Sequence, residues 1–146
     1  MARITLDQAN RIIAEAFAKA EELGLQPLGV AVLDPGAHLI AFQRQDGASN
    51  LRAAIAVGKA NGALAFGVSS RRLGMIAAKQ PHFVQAIQNL APQGVLPAAG
   101  GIIVADAQAN IVAAVGVSGD MSDNDEICAI AAIKACGLHP LGDPKG

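Results

Sequence analysis

Tryptophan and tyrosine are absent from this 146-residue chain, and only four phenylalanines stand in for them. Nucleic-acid binding asks for a basic face and stacking aromatics. A net charge of −1 with scattered Lys and Arg supplies neither, so no nucleic-acid partner is expected. Charged residues make up 16% of the chain against 52% hydrophobic, which excludes a disordered, solvated segment. The same shortage of charge leaves more apolar surface than a small domain readily hides. A homo-oligomer is therefore expected, a dimer or higher. No apolar run is long enough to span a bilayer, and the N-terminus opens on a polar, amphipathic pattern rather than a hydrophobic leader. Cytoplasmic localisation with no membrane partner follows as the expectation. The two cysteines, Cys128 and Cys136, lie on one predicted helix. At a rise of about 1.5 Å per residue their Cα atoms stand roughly 12 Å apart, too far to bridge. They read as small buried hydrophobes. Also missing are the zinc, P-loop, thiol-redox, haem-attachment and serine-elbow motifs.

What is present is organised around residues 96–137. Ile102–Ala105 and Ile111–Gly119 are apolar, β-branched runs joined by Asp106-Ala107-Gln108-Ala109-Asn110. They predict a hairpin at the centre of a sheet covered on both faces. Ser122 and Asp125 form an S-x-x-D capping box for a last helix, with Ile127, Ile130 and Ile133 as its buried side. Gly137 ends that helix, and residues 138–146 are expected to be a loose tail.

Upstream, Thr5 and Gln8 form a capping box for a first helix with an apolar stripe at Ala9, Ile12, Ile13, Ala16, Phe17 and Ala20. Gly24 stops it. Leu28–Leu33 predicts a covered strand. Asp34-Pro35-Gly36-Ala37 fits a type II turn with positive φ on Gly36. In the returning strand, alternation puts His38, Ile40, Phe42 and Arg44 on one face. Ser49 or Asn50 can cap a second helix to about Phe66, in which Gly58 and Gly62 mark close packing and Arg52 and Lys59 share a face. Ser69 or Ser70 starts a third helix. Pro81 opens a short fourth, and Val95-Leu96 can form a short strand. The order helix, hairpin, helices, hairpin, helix predicts a single α+β domain, residues 1–146, with an antiparallel sheet.

The residues most able to carry chemistry are Arg44, Asp46 and Lys59. Arg44 ends a strand, Asp46 lies in the next turn, and Lys59 sits mid-helix among small residues. Two cations and a carboxylate converging at a cleft would serve an isomerase, tautomerase or lyase acting on a carboxylated metabolite. The cations would hold the carboxylate or an enolate, and Asp46 would move a proton. A salt-bridge cluster pinning the second helix to the sheet is the competing reading, and a scaffold without a small ligand is a third. Met75 and Met121 read as packing.

Val32-Leu33-Asp34-Pro35-Gly36-Ala37-His38-Leu39 is followed by Phe42-Gln43-Arg44-Gln45-Asp46-Gly47-Ala48. Lys59-Ala60, Gly100-Gly101 and Gly116-Val117-Ser118-Gly119 with Asp125-Glu126 come after, in that order. This series resembles the GlcG/HbpS-like family of haem-binding or haem-degrading domains, and covers nearly the whole chain. The resemblance implies a central five-stranded antiparallel sheet flanked by helices, a profilin- or PAS-like layered sandwich. It also implies assembly into dimers or larger rings, octamers among them, and haem or another tetrapyrrole as ligand. On this reading His38, Arg44, Lys59, Gly100, Gly101 and Ser118 are the candidate cofactor-binding residues, and no metal ligand is assigned. The chain departs from the family pattern at Ala37, where a second glycine is common, and at Ala98-Ala99, which separate Pro97 from the double glycine in a loop expected to line the pocket.

Overall fold

A computed structural model describes residues 3–143. Helix α1 (Leu6–Leu23) leads into strands β1 (Gly29–Leu33) and β2 (Leu39–Arg44). Helices α2 (Arg52–Phe66), α3 (Ser70–Lys79) and α4 (Pro81–Ile87) follow, the last continued by a 3-10 turn at Gln88–Leu90. Strands β3 (Gly101–Ala105) and β4 (Ile111–Ser118), helix α5 (Ser122–Ala135) and a short strand β5 (His139–Pro140) complete the chain. The five strands form one antiparallel sheet in the order β2-β1-β4-β3-β5. This is the α+β sandwich that the pattern of elements and the family resemblance both implied.

The two faces of the sheet are covered differently. On one, Val30, Val32, Ile102, Val104, Val112, Val115 and Val117 pack against the apolar stripes of α1 and α5. Branched side chains interdigitate there to make the main core. On the other, α2 lies almost directly on the strands. A Cβ on Gly116 would collide with the Ala56 carbonyl, and one on Gly101 with the Lys59 carbonyl. The missing side chains are what let helix and sheet backbones meet. Gly58 and Gly62 do the same on the other side of α2, against Leu96 and against Leu73 with Val95.

Thr5 and Gln8 form the expected capping box, and Gly24 closes α1 with φ +66°. Ser69 caps α3 by accepting from the Arg72 amide at 3.1 Å. Several expectations are corrected. Helix α2 begins without a side-chain cap; the Arg52 amide donates instead to the Ser49 carbonyl. The first hairpin turn puts positive φ on Ala37 (67°), as the second does on Ala109 (65°). Asp34 and Asp106 organise the two turns alike, each Oδ1 accepting two amides, from Gly36 and His38 and from Gln108 and Asn110. A bulge in β2 breaks the expected alternation: Ala41 pairs with Val32 and Leu39 with Leu33, leaving Ile40 as the extra residue.

Val95-Leu96 is not a strand. The Val95 amide donates to the Gln88 side chain and the Leu96 amide to the Gly58 carbonyl, so the helical block takes up its backbone groups. The fifth strand is instead drawn from the tail expected to be loose. His139 and Pro140 pair with Ala105 and Val104, and the Leu141 amide donates to Ile103. Asp143 then accepts from both the amide and hydroxyl of Ser69. Residues 144–146 of that expectation lie outside the described residues.

Candidate functional site

Strand β4 ends at Val117-Ser118, and α5 starts four residues later; this junction holds the most buried charges among the described residues. Lys59, only 3% exposed, crosses from α2 to donate from Nζ to the Val117 carbonyl at 2.9 Å and to Asp125 Oδ2 at 3.1 Å. Asp125 is 1% exposed, and its Oδ1 accepts from the Asp120 amide at 3.0 Å. Asp125 therefore does not close the expected S-x-x-D box. Asp120 serves this helix start instead, accepting from the Met121 amide and the Asn124 side chain. Those bonds, with that of Asn124 foremost and one from the Gln26 amide, hold the Asp120 carboxyl below the usual range. Arg52 Nη1 donates to Ser118 Oγ at 3.2 Å, so Arg52 and Lys59 do address one region. Burial pushes the Lys59 ammonium down and the Asp125 carboxyl up, against the mutual attraction that favours both charges.

The double glycine belongs to the same junction. Gly100 has φ +130°, and a Cβ there would lie 2.6 Å from the Val117 carbonyl and 3.0 Å from Lys59 Cδ and Nζ. The Gly101 amide donates to the buried Ser70 Oγ at 2.7 Å. Lys59, Gly100, Gly101 and Ser118 are thus brought together. Arg44 and Asp46 are not part of this cluster. They lie at the exposed end of β2, in a polar groove with Glu21, Leu25, Pro27 and Gln45 that Lys59 does not line. Strand β1 accounts for the gap, since Arg44 on β2 pairs with Gly29 and Gly29 pairs with Ser118 on β4. The short turn after Arg44 does fold α2 over the sheet, but it sets Lys59 above β4 rather than β2. His38 stands on the exposed hairpin turn, with its Nδ1 3.4 Å from Asp34 Oδ1.

The open surface near the double glycine is apolar. One depression of about 380 Å³ lies between α3 and the α5 start, lined by Gly74, Met75, Ala78, Pro97, Ala98 and Ala99, with Arg71, Ser122 and Asp123 at its edge. A second, of about 280 Å³, follows the other flank of α3 past Arg72, Met75, Ile76, Lys79 and Gln80. Met75 lines both and is half exposed, so it is not the packing residue that its sequence context suggested. Arg71 is committed to Asp123 and to Glu126, with Nε 3.0 Å from Glu126 Oε1. Arg72 and Lys79 form no ion pair among the described residues. Helical spacing could have put Arg72, Met75 and Lys79 along one flank of α3. Nothing in the sequence said which flank stays open.

The cysteines supply no nucleophile to either depression. Burial, with the Asp125 charge behind it, pushes the Cys128 thiol up to about 11, and Cys136 is also raised by burial. Among the described residues there is no cluster of three or more His, Cys, Asp or Glu placed to hold a metal ion.

The model of the family described as "Haem degrading protein HbpS-like" matches residues 4–134. The chain belongs to the HbpS-like family. Among solved structures, HbpS superposes with a TM-score of 0.79 at 28% identity, over 92% of this chain and 91% of that one. The Klebsiella pneumoniae protein ORFY gives 0.80 at 26%, over 92% and 90%. The PduOC–haem complex gives 0.81 at 20% identity, over 93% and 96%, and at that distance shows a shared fold. No curated protein sequence matches the chain. No helix of the described residues is long and apolar enough to cross a membrane. Membership of the HbpS-like family accounts for the order of the motifs. The glycines at Gly100, Gly101 and Gly116 are where this chain's α2 meets its sheet.

Proposed function

We propose that this protein binds haem, or a closely related tetrapyrrole, in the paired apolar depressions along α3. The match to the HbpS-like family over residues 4–134 carries this reading. The surface around α3 supports it on chemical grounds. A haem needs an apolar slot for its ring, cations for its two propionates and a donor for its iron. Met75, Ile76, Ala78, Pro97, Ala98 and Ala99 offer the first. Arg72 and Lys79, free of ion-pair partners among the described residues, offer the second. The residues present therefore fit the group, and the iron would bring redox and ligand-binding chemistry to this groove. The chain's own contribution is to desolvate the ring against α3 and to neutralise the propionates with Arg72 and Lys79. Behind the groove the Lys59–Asp125 pair, out of reach of solvent, holds α2 to the β4–α5 junction, and the Val117 amide donates to the Gly100 carbonyl beside it.

Lys59 lies apart from Arg44 and Asp46, so no shared catalytic role is proposed for the three. His38 and Arg44 are exposed, and neither lines the α3 depressions.

The test is a haemin titration of the parent and of the Arg72→Ser/Lys79→Ser double variant. Charge-assisted hydrogen bonds contribute about 1.5–3 kcal/mol each, so affinity should fall at least about tenfold, with stability unchanged. Unchanged affinity would place the ligand elsewhere. We also propose that the chain works as a cytoplasmic homo-oligomer, a dimer or larger. Support comes from Leu51, Phe83, Leu90, Met121 and Ile127, large apolar side chains left 45–80% exposed. A stable monomer at micromolar concentration in light scattering would exclude the oligomer.

A further inference from the structure

We infer that a second copy of this chain docks on the uncharged face formed by α2 and residues 88–96, across a two-fold axis, with Leu90 of each copy seated in a groove of the other. The assignment rests on the oligomer reading above and says which surface carries it. Between Lys79 and Asp106 the chain has no Asp, Glu, Lys or Arg, and α2 has none between Arg52 and Lys59. The fold brings these two stretches together. The Leu96 amide donates to the Gly58 carbonyl at 3.1 Å, and Asn61 Nδ2 to the Gly94 carbonyl at 2.7 Å. Arg52 and Lys59 turn the other way, to Ser118 and to Val117 with Asp125. Depletion of charged residues, more than bulk hydrophobicity, marks the core of a protein interface.

The face carries both a hole and a knob. The hole is a groove of about 440 Å³, lined by Ala54, Ile55 and Gly58 of α2 and by Val95 and Leu96 opposite. It is preformed, because the Gln88 side chain takes both the amide and the carbonyl of Val95. The knob is Leu90, 80% exposed on the 3-10 turn two residues after Gln88. Leu51, 60% exposed, stands one helical turn before Ala54 and Ile55 and extends the apolar surface. A knob beside a hole is self-complementary when the surface meets itself about a two-fold axis, since each contact is then made twice. Charge decides against other exposed apolar side chains. Met121 and Ile127 stand beside Asp120, Asp123 and Glu126, and a two-fold contact there would set carboxylates of the two copies against each other. Met75 lies between Arg72 and Lys79, where cations would meet. Phe83 packs edge-on against Phe66 of its own chain, with 6.4 Å between ring centroids. Of these surfaces, the Leu90 face alone meets a copy of itself without like charges.

The experiment measures mass by size exclusion with light scattering at micromolar subunit concentration. It compares the parent with Leu90→Glu, Ala54→Glu, Met121→Glu and the Leu90→Glu/Ala54→Arg double variant, with far-UV circular dichroism as the check on folding. Leu90, Ala54 and Met121 are all exposed, so each change leaves the subunit folded. The expected result is an even number of subunits in the parent and in Met121→Glu, and half that mass or less in Leu90→Glu and in Ala54→Glu. The double variant should recover the parent mass, because the new carboxylate of one copy then faces the new guanidinium of the other. If the parent is oligomeric but Leu90→Glu and Ala54→Glu keep its mass, if Met121→Glu is the one single variant that lowers it, or if the parent holds an odd number of subunits, the assignment of this face is overturned while the oligomer stands. A monomeric parent removes the oligomer reading, and this assignment with it.

Discussion

Replacing Lys59 with methionine should lower folding stability by about 3–5 kcal/mol, the usual cost of stranding one member of a buried ion pair. The lost charge leaves the Asp125 carboxylate 1% exposed, supported by the Asp120 amide but by no cation. Burial already pushes the Asp125 carboxyl up, and removing Lys59 removes the attraction that opposed it. The penalty should therefore depend on pH. A carboxyl whose folded-state pKa stands above its unfolded value keeps its contribution below the unfolded pKa and loses it as pH rises through the folded one. Lys59→Met should come closest to the parent in acid and fall away towards neutrality. The Lys59→Met/Asp125→Leu double variant should recover much of the loss, since apolar pairs of similar volume replace buried ion pairs at little cost. Urea unfolding of the parent, Lys59→Met, Asp125→Leu and the double variant at two pH values completes the cycle. A Lys59→Met variant as stable as the parent at neutral pH would show that the pair does not hold α2 to the β4–α5 junction.

Gly116→Ala should cost about 3–5 kcal/mol, although it adds a single methyl group, because the methyl meets backbone rather than a movable side chain. Its Cβ would run into the Ala56 carbonyl and lie 3.2 Å from the Ala60 Cβ. Helix α2 must then lift from the sheet along its length, and with it the Lys59 and Arg52 contacts. Gly116→Val should fail to accumulate as folded protein. Gly142→Ala is the control, since nothing lies within 4 Å of a Cβ there and its φ is not in the left-handed region. Chemical denaturation of Gly116→Ala and Gly142→Ala measures the contrast. A loss below about 1 kcal/mol at Gly116 would mean that α2 has slack the packing does not show.

Much of the fold was legible because local patterns agreed with the tertiary structure. The unbroken apolar runs at Leu28–Leu33, Ile102–Ala105 and Ile111–Gly119 are the three interior strands, buried on both faces. The Thr5–Gln8 box and Gly24 bounded α1 as read. Failures came where a long-range partner outbid a local one. Asp125 has the spacing of a helix cap, but it turns to Lys59, 66 positions away in sequence. Val95 has strand propensity, but Gln88 takes both its amide and its carbonyl. His139-Pro140 looks like a tail, yet it pairs with β3, whose edge would otherwise lie open. Ile127 fits the helical period of a buried stripe, but Cys128, Ala129 and Ala132 face the sheet and Ile127 is left 46% exposed.

The site was legible only in part. Lys59, Gly100, Gly101 and Ser118 could be singled out from a cation among small residues and a glycine pair at a strand start. Their mutual contact could not, because it depends on where α2 lands across four strands. Arg44 and Asp46 were grouped with Lys59 on the strength of a short turn, which fixes that the helix returns but not over which strand. Of the α3 groove, the sequence marked only the Pro97–Ala99 wall, through the family resemblance; nothing in it said that the flank of α3 stays open. Its walls are an ordinary helix and a Pro-Ala-Ala segment, and its openness is a tertiary property.

The most direct measurement is a Soret titration of the purified protein with haemin, run beside a protein of unrelated fold. Binding in the α3 groove predicts a shifted Soret band that saturates at one haemin per subunit, with micromolar or tighter affinity, about −8 kcal/mol or better. A spectrum that is the sum of free haemin and protein at every ratio, or a shift that grows without saturating as it does for the control, would contradict the account.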